Sequence, residues 1–282
     1  MSKHIRTITL RDGTPVPAIG QGTWYMGDDA EVTAREVASL RAGLDLGISL
    51  IDTAEMYGDG ASERVVREAL KERRETAFLV TKVLPENGDY DAVLHAFERS
   101  RVNLGVERID LYLLHWRLPE TPLRETIAAF EALRADGKIG AWGVSNFDVA
   151  DMEELLALPG GSQVAVNQVL YNLSSRGIEY DLLPWSRQHR IPIMAYSPLD
   201  QGRLLRHPDI LRLAKSLNIT ASQLALSFVL RKDNVIAIPK TGSDQRLREN
   251  IEALGVALSQ DTLDQLDQIF PPPSSKQPLA EI

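Results

Sequence analysis

The feature that most constrains this chain is a repeated switch of hydrophobic period. From Ile19 onward, short β-branched runs alternate with longer segments whose apolar residues recur at helical spacing. Strands are expected at 19–23, 48–53, 77–82, 110–115, 140–145, 164–168, 192–197 and 235–240. Helical patterns fall between them at 32–46, 62–71, 91–104, 122–135 and 149–158. Thr220 and Gln223 form a T-x-x-Q capping box ahead of Leu224, Leu226 and Val229, and Leu263, Leu266 and Ile269 mark a last helix at 261–270. A strand followed by a helix, again and again, argues for parallel strands joined by crossover helices. Eight such units in 282 residues fit an α/β fold of the (β/α)8 TIM-barrel type, with a doubly wound sheet as the competing architecture. Residues 7–10 and Val16, turning at Asp12-Gly13, read as an N-terminal β-hairpin. No linker divides the chain, so a single domain over 1–282 is expected, with an irregular Pro-rich tail from Pro271.

Composition narrows the function classes. The chain has 31 basic and 39 acidic residues, a net charge of −8, the opposite of what a general nucleic-acid binder carries. With no cysteine, disulfides, thiolate nucleophiles and Cys-based zinc sites are excluded. No apolar run approaches the ~20 residues that span a bilayer, and no apolar core follows a basic N-terminus. A cytoplasmic protein without a membrane or nucleic-acid partner is expected.

In a barrel of this type, functional groups sit at the C-terminal ends of the strands. The polar residues expected there are Asp52, Lys82, His115, Ser145, Asn146, Gln168, Tyr196, Ser197 and Lys240, with Tyr57 just after the second strand. Each alone has an ordinary explanation as a helix cap or a satisfied core residue, but successive strands carrying such groups point to a site. The set makes chemical sense. A carbonyl accepts hydride more readily when an acid protonates the developing alkoxide. Tyr57 could be that acid, the Lys82 ammonium would lower its pKa from about 10, and Asp52 could hold Lys82 in place. His115 could hydrogen-bond the substrate oxygen and orient it.

The order of short motifs then resembles the aldo-keto reductase family over nearly the whole chain. The motifs are Gly20-Gln21-Gly22-Thr23-Trp24, Ile51-Asp52-Thr53-Ala54 with Tyr57-Gly58, Val80-Thr81-Lys82, and the run from Asp110 to His115-Trp116. After them come Gly143-Val144-Ser145-Asn146-Phe147, Asn167-Gln168-Val169, Ala195-Tyr196-Ser197-Pro198-Leu199, Ile238-Pro239-Lys240-Thr241 and Glu249-Asn250. The resemblance implies a catalytic tetrad of Asp52, Tyr57, Lys82 and His115, and a nicotinamide cofactor extended across the barrel mouth. It implies that Ser145, Asn146 and Gln168 bind the carboxamide and that Tyr196 stacks on the nicotinamide ring. The stretch 197–202, with Ser197, Pro198, Leu199 and Gly202, would follow the pyrophosphate, and Glu249 and Asn250 would face the adenine. Gly22, Thr23, Trp24, Asp52 and Pro239 complete the implied cofactor groove.

Lys240, Thr241 and Arg246 match the family's 2′-phosphate positions, and none is acidic, which implies NADPH/NADP+ rather than NADH. Gly20-Gln21-Gly22 is no Rossmann fingerprint, lacking a third glycine and the βαβ phosphate turn; its glycines are expected to allow close backbone approach at the barrel mouth. Three residues depart from the commoner family pattern: Leu170, Arg117, and Asp200, which puts a negative charge near the implied pyrophosphate path.

The loop after His115 and the tail after Pro271 are short, which implies an open site walled by Trp24, Tyr25 and Trp116 beside Tyr57 and His115. Such a site suits a small carbonyl compound, a dicarbonyl or an aryl aldehyde. The stretches 22–27, 51–57 and 175–185 resemble a bacterial subgroup associated with methylglyoxal reduction. The family resemblance further implies a monomer. Two other readings compete: a cofactor-holding docking protein, like the potassium-channel β-subunits, and a metal-dependent hydrolase. The intact tetrad weighs against the first. Against the second, of His4, His95, His115, His189 and His207 only His115 falls at a strand end.

Overall fold

The computed structural model describes residues 5–282; His4 lies outside the described residues. The chain opens with a hairpin, β1 (Thr7–Thr9) against β2 (Pro15–Pro17), with Ile8 facing Val16. Ile8, Leu10 and Val16 are buried. Arg11 donates its backbone N–H to Ala165 O, just ahead of a later strand. The hairpin therefore packs against the N-terminal ends of the strands, opposite the ends expected to carry chemistry.

Eight parallel strands follow: β3 (Gln21–Gly22), β4 (Leu50–Asp52), β5 (Phe78–Val83), β6 (Ile109–Leu114), β7 (Ile139–Ser145), β8 (Asn167–Leu170), β9 (Ile193–Tyr196) and β10 (Val235–Ala237). They pair in chain order in one curled sheet. Its two edges also meet: Ile19 bridges Ala237, and Gly20 and Gly22 donate to Ala237 O and Pro239 O at 2.8 and 3.2 Å. The arrangement is (β/α)8-like.

Every expected strand is present, but boundaries differ for physical reasons. The first is shorter than 19–23 because Gly20 and Gly22 bond one neighbour while Gln21 and Gly22 pair with the other. The sixth begins at Asn167 rather than 164. Ala165 donates to β7 at Trp142 O, and pairing with β9 begins only at Asn167↔Ile193. β10 ends before Pro239, which has no N–H to extend the ladder.

Helices lie between the strands and after the last of them. They are α1 (Ala30–Asp45), α2 (Ala61–Leu70), α3 (Tyr90–Leu104), α4 (Leu123–Ala135), α5 (Val149–Ala157), α6 (Leu182–His189), α7 (Pro208–Ser216), α8 (Ala221–Leu230), α9 (Asp244–Glu252) and α10 (Gln260–Ile269). The Thr220–Gln223 capping box forms as the spacing requires. Three of the helices, α6, α7 and α9, lie outside the expected helical segments. Each spans only 8 or 9 residues and buries just three of them. No single helix among the described residues is long and apolar enough to cross a membrane.

The tail after α10 carries no regular structure but is not free. Arg176 grips the end of α10, donating to Asp267 and to Phe270 O. Lys276 pairs with Asp148 and Asp181, and Leu279 packs on the core.

The meeting of the first and last strands explains the G-x-G. A Cβ on Gly22 would lie 2.8 Å from Ile238 O, and one on Gly20 would lie 2.4 Å from Leu50 Cδ2. The close approach is therefore strand to strand. Gly22→Ala is expected to cost about 1–3 kcal/mol of stability, as overpacking against rigid backbone does. A urea unfolding midpoint equal to the parent's would refute this.

Candidate active site

The ends of β4, β5 and β6 bring four side chains to one point. Asp52 is the last residue of β4, Lys82 lies one residue before the end of β5, and His115 follows β6 directly. Tyr57 stands in the loop between β4 and α2. Lys82 has no exposed surface. Its Nζ donates to Asp52 Oδ2 at 2.8 Å, to Thr53 O at 2.8 Å and to Tyr57 Oη at 3.2 Å. All three ammonium protons are thereby placed. The other carboxylate oxygen of Asp52 accepts from Gln168 Nε2 at 2.7 Å.

Electrostatics differ from the sequence expectation at Tyr57. Burial raises its pKa above 10; Lys82 pulls it back down, but the Asp52 charge opposes Lys82, and the net direction is up. The free protein thus holds Tyr57 protonated, as a donor rather than a base. Burial alone would lower the Lys82 pKa, but Asp52 and Tyr57 outweigh it and raise it, so the ammonium persists. His115 is pushed well below 6.5, first by burial and then by Lys82. Its ring stands edge-on to Tyr57 with centroids 5.7 Å apart, and its buried Nδ1 has no partner. It is a neutral imidazole at neutral pH.

A cleft of about 480 Å³ opens beside Tyr57. It is lined by Gly22, Thr23, Trp24 and Asp52 together with Tyr57, by Tyr196, Ser197, Pro198, Leu199 and Gly202, and by Pro239, Lys240, Thr241, Arg246, Glu249 and Asn250. Ser145, Asn146 and Gln168 lie outside this lining, at and just after the ends of β7 and in β8. Ser145 Oγ is buried with no partner. Asn146 is left-handed (φ 58°); its amide donates to His115 O at 3.2 Å and accepts from Tyr196 Oη at 3.0 Å. Burial and the charge of Glu281 keep the Tyr196 phenol protonated by raising its pKa. Trp116 leans on His115 at 4.9 Å, and Trp24 stacks on Tyr25 at 4.4 Å and reaches Tyr57 at 6.4 Å.

Gln201 and Ile238, which fall in the matched stretches, also line the cleft, as do Leu205 and Ser222, which no sequence signal marks. Ser222 donates to Glu249 at 3.1 Å, holding that carboxylate at the cleft wall. The three departures find partners. Arg203 neutralises Asp200 at 2.5 Å, Arg117 grips Asp151 and Glu154 on α5, and Leu170 is buried at the end of β8.

The cleft fits a dinucleotide phosphate: its volume is about 480 Å³, and Lys240 and Arg246 stand exposed in its lining with no acidic partner among the described residues.

Comparison with known proteins agrees. The profile described as "Aldo/keto reductase family" matches residues 18–270. The chain is 51% identical over 276 residues to methylglyoxal reductase YeaE of Escherichia coli K12, covering 96% of this chain and 97% of that one. It is 34% identical to a glyoxal reductase of Bacillus subtilis, over 93% and 92% of the two chains. An aldo/keto reductase from Klebsiella pneumoniae, crystallised with NADP and acetate, superposes with a TM-score of 0.95 at 48% identity, over 99% of this chain and 100% of that one.

The neutral His115 gives a pH prediction. The unfolded chain takes up a proton near pH 6.5, and the folded imidazole does not. Stability is therefore expected to fall as pH drops through about 6.5. The His115 ring resonances should stay unshifted between pH 8 and 6 in an NMR titration, and a midpoint near 6.5 would overturn the assignment.

Proposed function

The chain belongs to the aldo/keto reductase family, and from that premise we propose that it reduces small dicarbonyl aldehydes, methylglyoxal foremost, to alcohols with NADPH. One observation carries the chemistry. A protonated tyrosine, a buried ammonium and a neutral imidazole converge beside a cleft shaped for a dinucleotide. NADPH-dependent carbonyl reduction is the activity of the class. The choice of methylglyoxal rests on the 51% identical E. coli reductase and on the aromatic side chains around Tyr57 and His115, with Trp24 and Tyr25 in the cleft and Trp116 against His115.

When bound, NADPH supplies the hydride. The residues do the rest. His115, neutral, donates an N–H to the carbonyl oxygen and orients it. Tyr57 gives its proton to that oxygen as negative charge develops there. The phenolate left behind is stabilised by Lys82, whose charge Asp52 secures through the 2.8 Å pair. Gln168 holds Asp52 in turn, and solvent reprotonates Tyr57 after release. Ser145, Asn146 and Gln168 would hold the carboxamide and Tyr196 the ring face. Ser197, Pro198, Leu199 and Gly202 would follow the pyrophosphate. Lys240, Thr241 and Arg246 would take the 2′-phosphate and Glu249 and Asn250 the adenine, with Gly22, Thr23, Trp24 and Pro239 along the groove. Trp24 and Trp116 would wall the substrate.

The paired sheet edges support a closed TIM barrel spanning one domain. The family supports a cytoplasmic monomer. A cofactor-holding docking protein is not favoured, because the tetrad is assembled as a working proton donor.

A carbonyl panel of methylglyoxal, an aryl aldehyde and a sugar aldehyde tests the reading. NADPH oxidation is expected to be fastest with methylglyoxal and slow with NADH. Tyr57→Phe should lose at least about a hundredfold in turnover while NADPH binding persists, since only the proton donor is removed. Parent-like turnover by that variant would refute the tetrad. Arg246→Ala should weaken NADPH about tenfold and leave NADH nearly unchanged, because it deletes a charged phosphate partner. Equal losses for both cofactors would sink the phosphate role.

A further inference from the structure

We propose that Glu55 is a positioning residue for Tyr57: its carboxylate clamps the loop that carries the proton donor onto the turn that follows Lys82. This rests on Tyr57 as proton donor and names a residue that serves it.

Tyr57 lies in an irregular loop between β4 and α2. Local turn bonds shape that loop: Tyr57 N–H donates to Ala54 O at 3.1 Å, and Ser62 N–H to Tyr57 O at 3.2 Å. Such bonds set the loop's form but not its distance from β5. The Thr53 N–H, bonded to Val80 O at 2.9 Å, fixes the start of the loop, and Glu55 carries the hold past the end of β5. Its Oε1 accepts from the Leu84 backbone N–H at 2.8 Å and from Asn87 Nδ2 at 3.0 Å. Its Oε2 accepts from Arg99 Nη2 of α3 at 3.2 Å, and its backbone N–H donates to Lys82 O at 3.3 Å. The Glu55 side chain is only 10% exposed, so its bonds to Leu84 and Asn87 meet little competition from water, while the Arg99 side chain is exposed.

The clamp thus grips the chain two residues before Tyr57 and two residues after Lys82. Between those grips lies the Lys82–Tyr57 hydrogen bond, already 3.2 Å long. A further outward drift of the loop would break it. The charges acting on Tyr57 are those of Lys82 and Asp52, with neutral His115 beside them; Glu55 is not among them. The role is mechanical.

The test measures the full chain with the best carbonyl of the panel, as Glu55→Ala, Glu55→Asp and Glu55→Gln. The readouts are kcat, KM, the pH profile and NADPH affinity by fluorescence. Glu55→Ala is expected to lower kcat by about ten- to a hundredfold, the scale of an ångström-level misplacement, with KM and NADPH affinity little changed. Its basic limb should move up in pH, because Tyr57 loses the influence of Lys82. Glu55→Gln keeps an acceptor for the Leu84 N–H and should stay within about threefold of the parent. Glu55→Asp keeps the charge but is one methylene short, and should behave like Glu55→Ala. The reverse order, Asp active and Gln impaired, overturns the clamp in favour of a charge effect. A Glu55→Ala variant with parent kcat and pH limb also overturns it. Asn87→Ala removes one arm and should lower kcat by a smaller factor, with the same upward limb; it carries the test if Glu55→Ala does not fold. Tyr57→Phe in the same assay separates the two levels: full turnover there refutes the proton donor itself.

Discussion

A lysine ammonium with no contact to water is the constraint on which this site depends. Charge removed from water costs several kcal/mol unless partners replace the lost hydration. Lys82 finds three, each within 3.2 Å: a carboxylate, a backbone carbonyl and a phenol. They come from β4 and the loop after it, so the ion pair ties together the two strands that flank the reaction. The order of the strands follows from the same need. β4 and β5 must be neighbours in register, with Asp52 opposite Val80, for Asp52 and Lys82 to meet.

Around this pair the protein arranges pKa values in opposite directions. Tyr57 is kept protonated by burial, and His115 is kept neutral by burial and the same ammonium. Desolvation favours the uncharged form of each. The outcome is a protonated phenol and a neutral imidazole set side by side. The cleft beside Tyr57 combines aromatic walls at Trp24 and Tyr25 with exposed cations at Lys240 and Arg246. Left-handed residues at Asn146, Ser197, Asp200 and Gln201 turn the chain sharply just past the strand ends. Asp200, placed by sequence on the phosphate path, carries its own counter-charge in Arg203.

Much of this was legible in the chain. The alternation of periods marked all eight strands, because buried parallel strands read as short β-branched runs. The capping box at Thr220 and the hairpin turn at Asp12-Gly13 carried their own local physics. Boundaries were less legible. Val164, Ala165 and Val166 are buried like a strand but pair on one side at first, a distinction that side-chain pattern does not encode. Helices α6, α7 and α9 were not anticipated, although α5, equally short, was. At the site, residue identity pointed to Asp52, Tyr57, Lys82 and His115. It said nothing of Gln168 holding Asp52, or of Thr53 O accepting from Lys82, since a backbone carbonyl has no letter.

The sequence by itself determined the parallel α/β class, the acidic cysteine-free character and the identity of the chemical groups, because hydrophobic period and residue type are local properties. Only the tertiary structure decided how those groups behave. The sign of the Tyr57 shift depends on burial against the opposed charges of Lys82 and Asp52, a balance across loop and strands that no stretch of chain contains. The grip of Glu55 on Leu84 and Asn87, 29 and 32 residues away, exists only once β4 and β5 lie side by side.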